Sequence, residues 1–528
     1  MLYQSTRGKA EKISFEEAII KGIADDGGLY VPERIPKVDL AFIEAIAGMD
    51  YAGAAAEIIK LYTDNFTEQE IQDCVARAYN EHSFASPDVT PLRKLDDRVS
   101  VLELYHGPTA AFKDVALQLL PPMLTLALKK TGVKESIAIL VATSGDTGKA
   151  ALEGFRDVDG TSILVFYPKD GVSEAQKLQM VTQEGKNVAV AAVEGNFDDA
   201  QTGVKAIFAD ADSNAHLRER GLLLSSANSI NWGRLMPQIV YYFRAYAALM
   251  NAGEIINGEP ICFAVPTGNF GDILAGWYAR EMGLPVARFI CASNSNNVLA
   301  DFIRTGVYNR KRDFMVTMSP AMDILISSNL ERLLYELSGR DFESVARWMR
   351  ELSQNGRYDV GEALQKKIAS LLYGGYASED ETSQAIKATY RRYNYLVDTH
   401  TAVGIHVYRE YEKSEKPESG GRAQHGDTQY GGKVVVVSTA SPYKFAKDVY
   451  EAIKDCAGIK DAAGGAPPAD ELEYIDMLSR VSGEAIPESL QNLRDKPLRH
   501  TTTTAKEHMK ATALELLTAL SRREEKHG

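Results

Sequence analysis

From about residue 100 onward the chain alternates short apolar runs with amphipathic stretches, and no other feature narrows the fold as much. The runs SIAILVAT, TSILVFYP and NVAVAAVEG are interspersed with stretches such as AQKLQMVTQEG and DDAQTGVKAIFADA. Runs that are apolar at nearly every position must be covered on both faces, as in a parallel sheet flanked by helices. A second series starts near ICFAVPTG, continues through VARFICAS and later reaches KVVVVSTAS. The first ninety or so residues differ: FEEAIIKGIA, LAFIEAIAGM and AAAEIIKLYT carry apolar residues at helical spacing. We therefore expect an α/β protein with a mainly helical N-terminal domain over 1–95. A first α/β unit over 96–255, a second over 256–460 and a helical C-terminal segment over 461–528 follow. The polar, Gly-rich stretch 411–432 reads as a surface insertion, and AAGGAPPADE near 462–471 as a second loop.

The 528 residues are 45% hydrophobic and 25% charged, enough for a sizeable core and for two to four domains. A net charge of −13 argues against nucleic acid or an anionic membrane as partner, so any anionic ligand must be held in a local pocket. Cys74, Cys262, Cys291 and Cys456 lie far apart without metal-type spacing, and no metal site is expected. No apolar leader opens the sequence and no run of 18 apolar residues occurs, which leads us to expect a cytoplasmic protein without a membrane span.

Lys113 stands out in YHGPTAAFKD, where small residues lead in and the apolar segment VALQLL follows. An amine at the start of a helix has its pKa depressed by the helix dipole, which favours the neutral, nucleophilic form. Three further stretches could hold an anion. ILVATSGDTGKAA (139–151) has Thr143 and Ala150 where a P-loop needs Gly and Ser or Thr, so a nucleotide is disfavoured; its hydroxyls and N–H groups suit a carboxylate, or merely cap a βα turn. AVPTGNFGDILAG (264–276) sets Gly268, Asn269, Phe270 and Gly271 between a strand and an amphipathic helix, as a phosphate cup requires. ANSINWGRLMPQ (227–238) gathers Asn228, Ser229, Asn231 and Arg234, a second anion site or else a capping segment with one surface arginine. A lysine, a phosphate cup, hydroxyl loops and an anion clamp together suit pyridoxal 5′-phosphate chemistry, in which the amine forms a Schiff base with the cofactor aldehyde.

HGPTAAFKD, ATSGDTG, NSINWGR, PTGNFGD and STASPYKF, in this order, resemble the threonine synthase family in its bacterial and fungal branch. The resemblance runs from about residue 4 to residue 520. It implies a fold type II pyridoxal-phosphate enzyme, similar to tryptophan synthase β, with two parallel-sheet units. By resemblance Lys113 is the Schiff-base lysine, and Gly268, Asn269, Phe270 and Gly271 wrap the cofactor phosphate. Asp146 lies beside the cofactor's 3′-oxygen, where many fold relatives have Asn, and Thr439 faces the pyridine nitrogen. Thr143, Ser144 and Thr147 belong to the loop that holds the substrate carboxylate, and Ser229, Asn231 and Arg234 to the clamp on its phosphate. Ser441 stands where bacterial members often carry a histidine. His106 and His400 read as satisfied structural histidines.

The resemblance further implies a monomer and a carbon–oxygen lyase acting on a phosphate ester: O-phospho-L-homoserine and water give L-threonine and phosphate, the last step of threonine biosynthesis. The same motifs would serve a phospho-lyase giving 2-oxobutyrate, and the scaffold could also carry a non-catalytic ligand-binding homologue.

Overall fold

In a computed structural model, residues 1–414, 432–456, 468 and 470–524 are described. The insertion expected at 411–432 and the loop at 462–471 therefore lie mostly outside the described residues.

Two sheets carry the architecture. The first has the order Thr502–Ala505, Val188–Glu194, Thr161–Pro168, Ser136–Ala142, Leu222–Ser225, with every pair parallel. The second runs Leu372–Tyr376, Val286–Ser293, Ile261–Pro266, Val434–Ser438, Val99–Glu103, Leu92–Lys94, parallel except for its last pair. The central strands are buried along nearly their whole length, as their apolar runs require. Three strands fall outside the units that sequence order suggests, the first being Leu92–Lys94, which lies within 1–95 yet forms an edge of the second sheet. Val99–Glu103 joins the second sheet beside Val434–Ser438, and Thr502–Ala505, within the C-terminal segment, extends the edge of the first.

The N-terminal region is helical over Phe15–Lys21, Leu40–Ala47, Tyr51–Ile59 and Glu68–Ala78, and it also holds a small antiparallel sheet of Ile13–Ser14, Leu2–Ser5 and Tyr30–Pro32. Its helices begin where side chains cap them: Ser14 and Thr67 each form a capping box with a glutamate three residues on. One helix, Trp232–Asn251, is buried on nearly all sides. It packs against the Lys113–Thr131 and Gly271–Met282 helices, and so sets the beginnings of both at one place.

Candidate active site

Lys113 opens its helix because the segment before it is locked in place. Asp114 accepts hydrogen bonds from the backbone N–H of Thr109 (2.9 Å) and from its hydroxyl (2.6 Å), closing the HGPT turn. Gly107 is required here, since a Cβ would lie 2.4 Å from that of Asp114. The turn is zipped to the end of a central strand: Phe112 N–H donates to Thr439 O (2.8 Å) and Ser441 N–H to Ala110 O (3.1 Å). Lys113 and Thr439 thereby face one cavity.

That cavity is lined by Phe112, Lys113 and Thr439, by Thr147, by Ser229 and Arg234, and by Gly268 through Asp272. Phe270 has φ +64°, a left-handed conformation that turns the chain into the Gly271–Met282 helix. The carbonyls of Gly268 and Asn269 are held by Ser327 Oγ (2.7 Å) and by Asn329 Nδ2 (3.1 Å). The helix's first N–H groups have no intrahelical partner, so this turn is a ready anion cup. A Cβ on Gly268 would approach Ala321 O to 2.9 Å, so only glycine lets the 319–322 segment pack against the cup.

Charge around Lys113 is dense and buried. Its Nζ lies 3.4 Å from Asp146 Oδ2. The other oxygen, Oδ1, receives Lys444 Nζ at 2.6 Å and Gln176 Nε2 at 2.8 Å. Burial alone would raise the Asp146 pKa, but Lys444 and then Lys113 outweigh it and hold the carboxyl well below the carboxylate range. Burial pulls the Lys113 amine down, Asp146 pulls it up, and Lys444 and Arg234 push it down again, leaving it below an ordinary lysine. Arg234 is buried, and burial lowers it to about 10, so it stays cationic at neutral pH. One of its terminal nitrogens donates to Ala227 O, while its buried Nε has no partner.

Of the residues expected from sequence, Lys113, Thr147, Ser229, Arg234, Gly268, Asn269, Phe270, Gly271 and Thr439 share this cavity. Thr143, Ser144, Asp146 and Asn231 are not on its wall. Thr143 Oγ1 accepts the N–H groups of Gly145 (3.0 Å) and Gly148 (2.8 Å), so it shapes the SGDTG turn. Asn231 caps the buried helix through Gly233 N–H and donates to Ile19 O and Ser226 O; its side chain is committed to the chain's own backbone. His400 does reach the cavity, yet its Nε2 accepts Ala321 N–H (3.2 Å) and its Nδ1 donates to Asp398 (2.8 Å). His106 pairs with Glu103 at 2.7 Å. Sequence reasoning missed Gln176, Asn329 and Lys444. Only Lys444 lies within a motif, STASPYKF, and a lysine there gives no sign of its burial.

A larger cavity, about 900 Å³, is lined by His106, Lys149, Glu153 and Tyr443 among others, and neither Lys113 nor the phosphate cup opens onto it. The smaller cavity joins an amine, an anion cup and a guanidinium whose Nε has no partner, and this combination fits pyridoxal 5′-phosphate with a second anionic ligand.

Comparison with known proteins agrees. The family described as "Threonine synthase N terminus" matches residues 2–79, and "Pyridoxal-phosphate dependent enzyme" matches residues 87–375. The chain is 40% identical to threonine synthase of Pseudomonas aeruginosa, over 91% of its own length and 94% of that protein's. It belongs to the threonine synthase family. Human threonine synthase-like 1 is 38% identical, over 83% of this chain but only 58% of that protein. The crystal structure of PLP-bound threonine synthase from Brucella melitensis superposes with a TM-score of 0.81 at 36% identity, covering 99% of this chain and 100% of the other. Members of the threonine synthase family are pyridoxal-phosphate enzymes of fold type II, and this chain's two sheets follow that fold. Among the described residues no helix is long and apolar enough to cross a membrane, and no group of side chains suits a metal ion.

Proposed function

We propose that this protein is a threonine synthase, converting O-phospho-L-homoserine and water to L-threonine and phosphate. The observation that carries the reading is the meeting of Lys113, the Gly268–Gly271 cup and Arg234 around one cavity. When bound, pyridoxal 5′-phosphate supplies an aldehyde that takes up an amine and a ring that accepts electrons from the neighbouring carbon.

The chain's own residues would do the rest. The N–H groups of the Gly268–Gly271 turn hold the cofactor phosphate, and Thr439 offers a hydroxyl to the pyridine nitrogen. Lys113, half-buried and depressed in pKa, takes the proton from Cα of the substrate and returns protons to the adjoining carbons. Arg234 and Ser229 hold the substrate phosphate until it leaves. Thr147, on the cavity wall and at the start of the Asp146–Phe155 helix, holds the substrate carboxylate against the helix N-terminus. Thr143 and Asn231 support these loops without touching substrate. Closure of one sheet unit over the other would exclude water until phosphate has gone.

The test is product analysis. Purified protein with bound cofactor is incubated with O-phospho-L-homoserine, and organic product and phosphate are quantified. Threonine and phosphate in equal amounts are expected; 2-oxobutyrate as the main product, or no turnover, overturns the reading.

A further inference from the structure

Lys444 is completely buried, and no step of the reaction just described employs it. Its Nζ sits between three loops. It meets Asp146 Oδ1 of the SGDTG loop at 2.6 Å and donates to Thr109 O of the Lys113 loop at 3.0 Å, while its own stretch carries Thr439. We propose that Lys444 is a positioning residue that takes up the Asp146 carboxylate and so keeps Lys113 from being locked into an ion pair with it.

The geometry gives the reason. Asp146 lies within ion-pair reach of two amines, the fully buried Lys444 at 2.6 Å and the half-buried Lys113 at 3.4 Å. A buried carboxylate facing Lys113 alone would hold that amine as an ammonium, and an ammonium is neither nucleophile nor base. With Lys444 seated on one oxygen and Gln176 Nε2 beside it, the carboxylate is compensated before Lys113 approaches the other. The remaining charged or titratable neighbours are Arg234 from the buried helix, Asp114 on the same helix as Lys113, and Asp272 and His400 on the cavity wall. Only Asp146 among them lies within ion-pair distance of Lys113. Lys444 thus acts on the reaction through Asp146 and never touches substrate.

This inference rests on Lys113 being the reactive amine, and its test needs neither substrate nor cofactor. In cofactor-free protein, Lys113 is acylated with acetic anhydride across a pH series, and the rate of its peptide's modification is read by mass spectrometry. In Lys444→Met the midpoint of the Lys113 profile is expected to rise by about one pH unit or more, the usual effect of an uncompensated carboxylate at this range, so reactivity at neutral pH falls roughly tenfold. Lys444→Arg, which keeps the charge, should leave the midpoint near wild type. Asp146→Asn should lower it, and the double variant Lys444→Met with Asp146→Asn should bring it back toward that of Asp146→Asn alone. A purely structural role for Lys444 predicts no such reversal. A Lys444→Met profile superposable on wild type, or a double variant as shifted as Lys444→Met, overturns the proposal. Should Lys444→Met not fold, an unmoved midpoint in Asp146→Asn overturns it equally. Failure here with threonine still produced from O-phospho-L-homoserine would leave the proposed reaction standing.

Discussion

Asp272, directly after the phosphate cup, is a buried carboxyl whose Oδ1 accepts the hydroxyls of Tyr241 (2.6 Å) and Tyr242 (2.7 Å) while Oδ2 has no partner. Burial raises its pKa from 3.8 to about 6, against the smaller opposing effect of the two tyrosines. A carboxyl raised on folding contributes stability that is fully present below its unfolded pKa, near 3.8, and is lost as pH climbs through about 6. Two units correspond to about 3 kcal/mol in all, of which about 2 kcal/mol falls between pH 4.5 and 8. Asn at this position keeps an acceptor for both tyrosines and carries no charge. Asp272→Asn should therefore gain on wild type as pH rises, by a few degrees in melting temperature for a chain of this size. The assay is differential: thermal melting of cofactor-free wild type and variant at pH 4.5 and pH 8, in buffer without phosphate. Asp146 moves stability the other way, since its depressed pKa gives stability above 3.8 that is lost as pH falls. Both proteins contain it, so it cancels in the difference. A melting difference that is the same at both pH values, or that favours wild type at pH 8, would refute the reasoning.

Lys113→Ala should lose turnover by about 10²–10⁴-fold or more, because the proton-transfer group is gone, and borohydride, which should fix the cofactor covalently to wild type, should not fix it to the variant. Steady-state kinetics and intact-protein mass read the two effects separately. Arg234→Ala should weaken substrate by roughly ten- to a hundredfold, the value of a charge-assisted contact of about 1.5–3 kcal/mol, while cofactor affinity changes less. Separate titrations of the variant with each ligand check this, and equal weakening of both counts against a substrate clamp.

The parallel units were legible because a strand covered on both faces must be apolar at almost every position, and Ser136–Ala142, Thr161–Pro168 and Ile261–Pro266 are. Sheet membership was not legible for three strands, among them Leu92–Lys94, which joins the second sheet from the end of the helical region. Val99–Glu103 pairs with Val434–Ser438 from the far end of the chain, and nothing local in VSVLE marks that partner. Thr502–Ala505 is four residues long, too short for a period to show, and lies in a stretch that ends in a helix. The same brevity hid Leu2–Ser5 and its two partners beneath the helical texture around them.

At the site the division follows the reach of each side chain's physics. Gly268–Gly271 and Lys113 depend on local backbone, a helix start and the turn before it, so their spacing in sequence already marks them as candidates. Thr143 and Asn231 are polar residues beside such starts, and a hydroxyl or amide that caps a turn looks the same in sequence as one that binds a ligand. The structure separates the two by showing where their hydrogen bonds go. Lys444 is the harder case. As a residue in STASPYKF it reads as a solvated charge, because a lysine is almost never fully buried unless something compensates it. Its compensation comes from Asp146, carried by a loop far away in the chain, and each of the two charges makes sense only through the other. Buried alone, the Asp146 carboxylate would be an uncompensated and costly charge. Paired with Lys444, the carboxylate and ammonium present no net charge, as an amide would, yet leave one carboxylate oxygen facing Lys113.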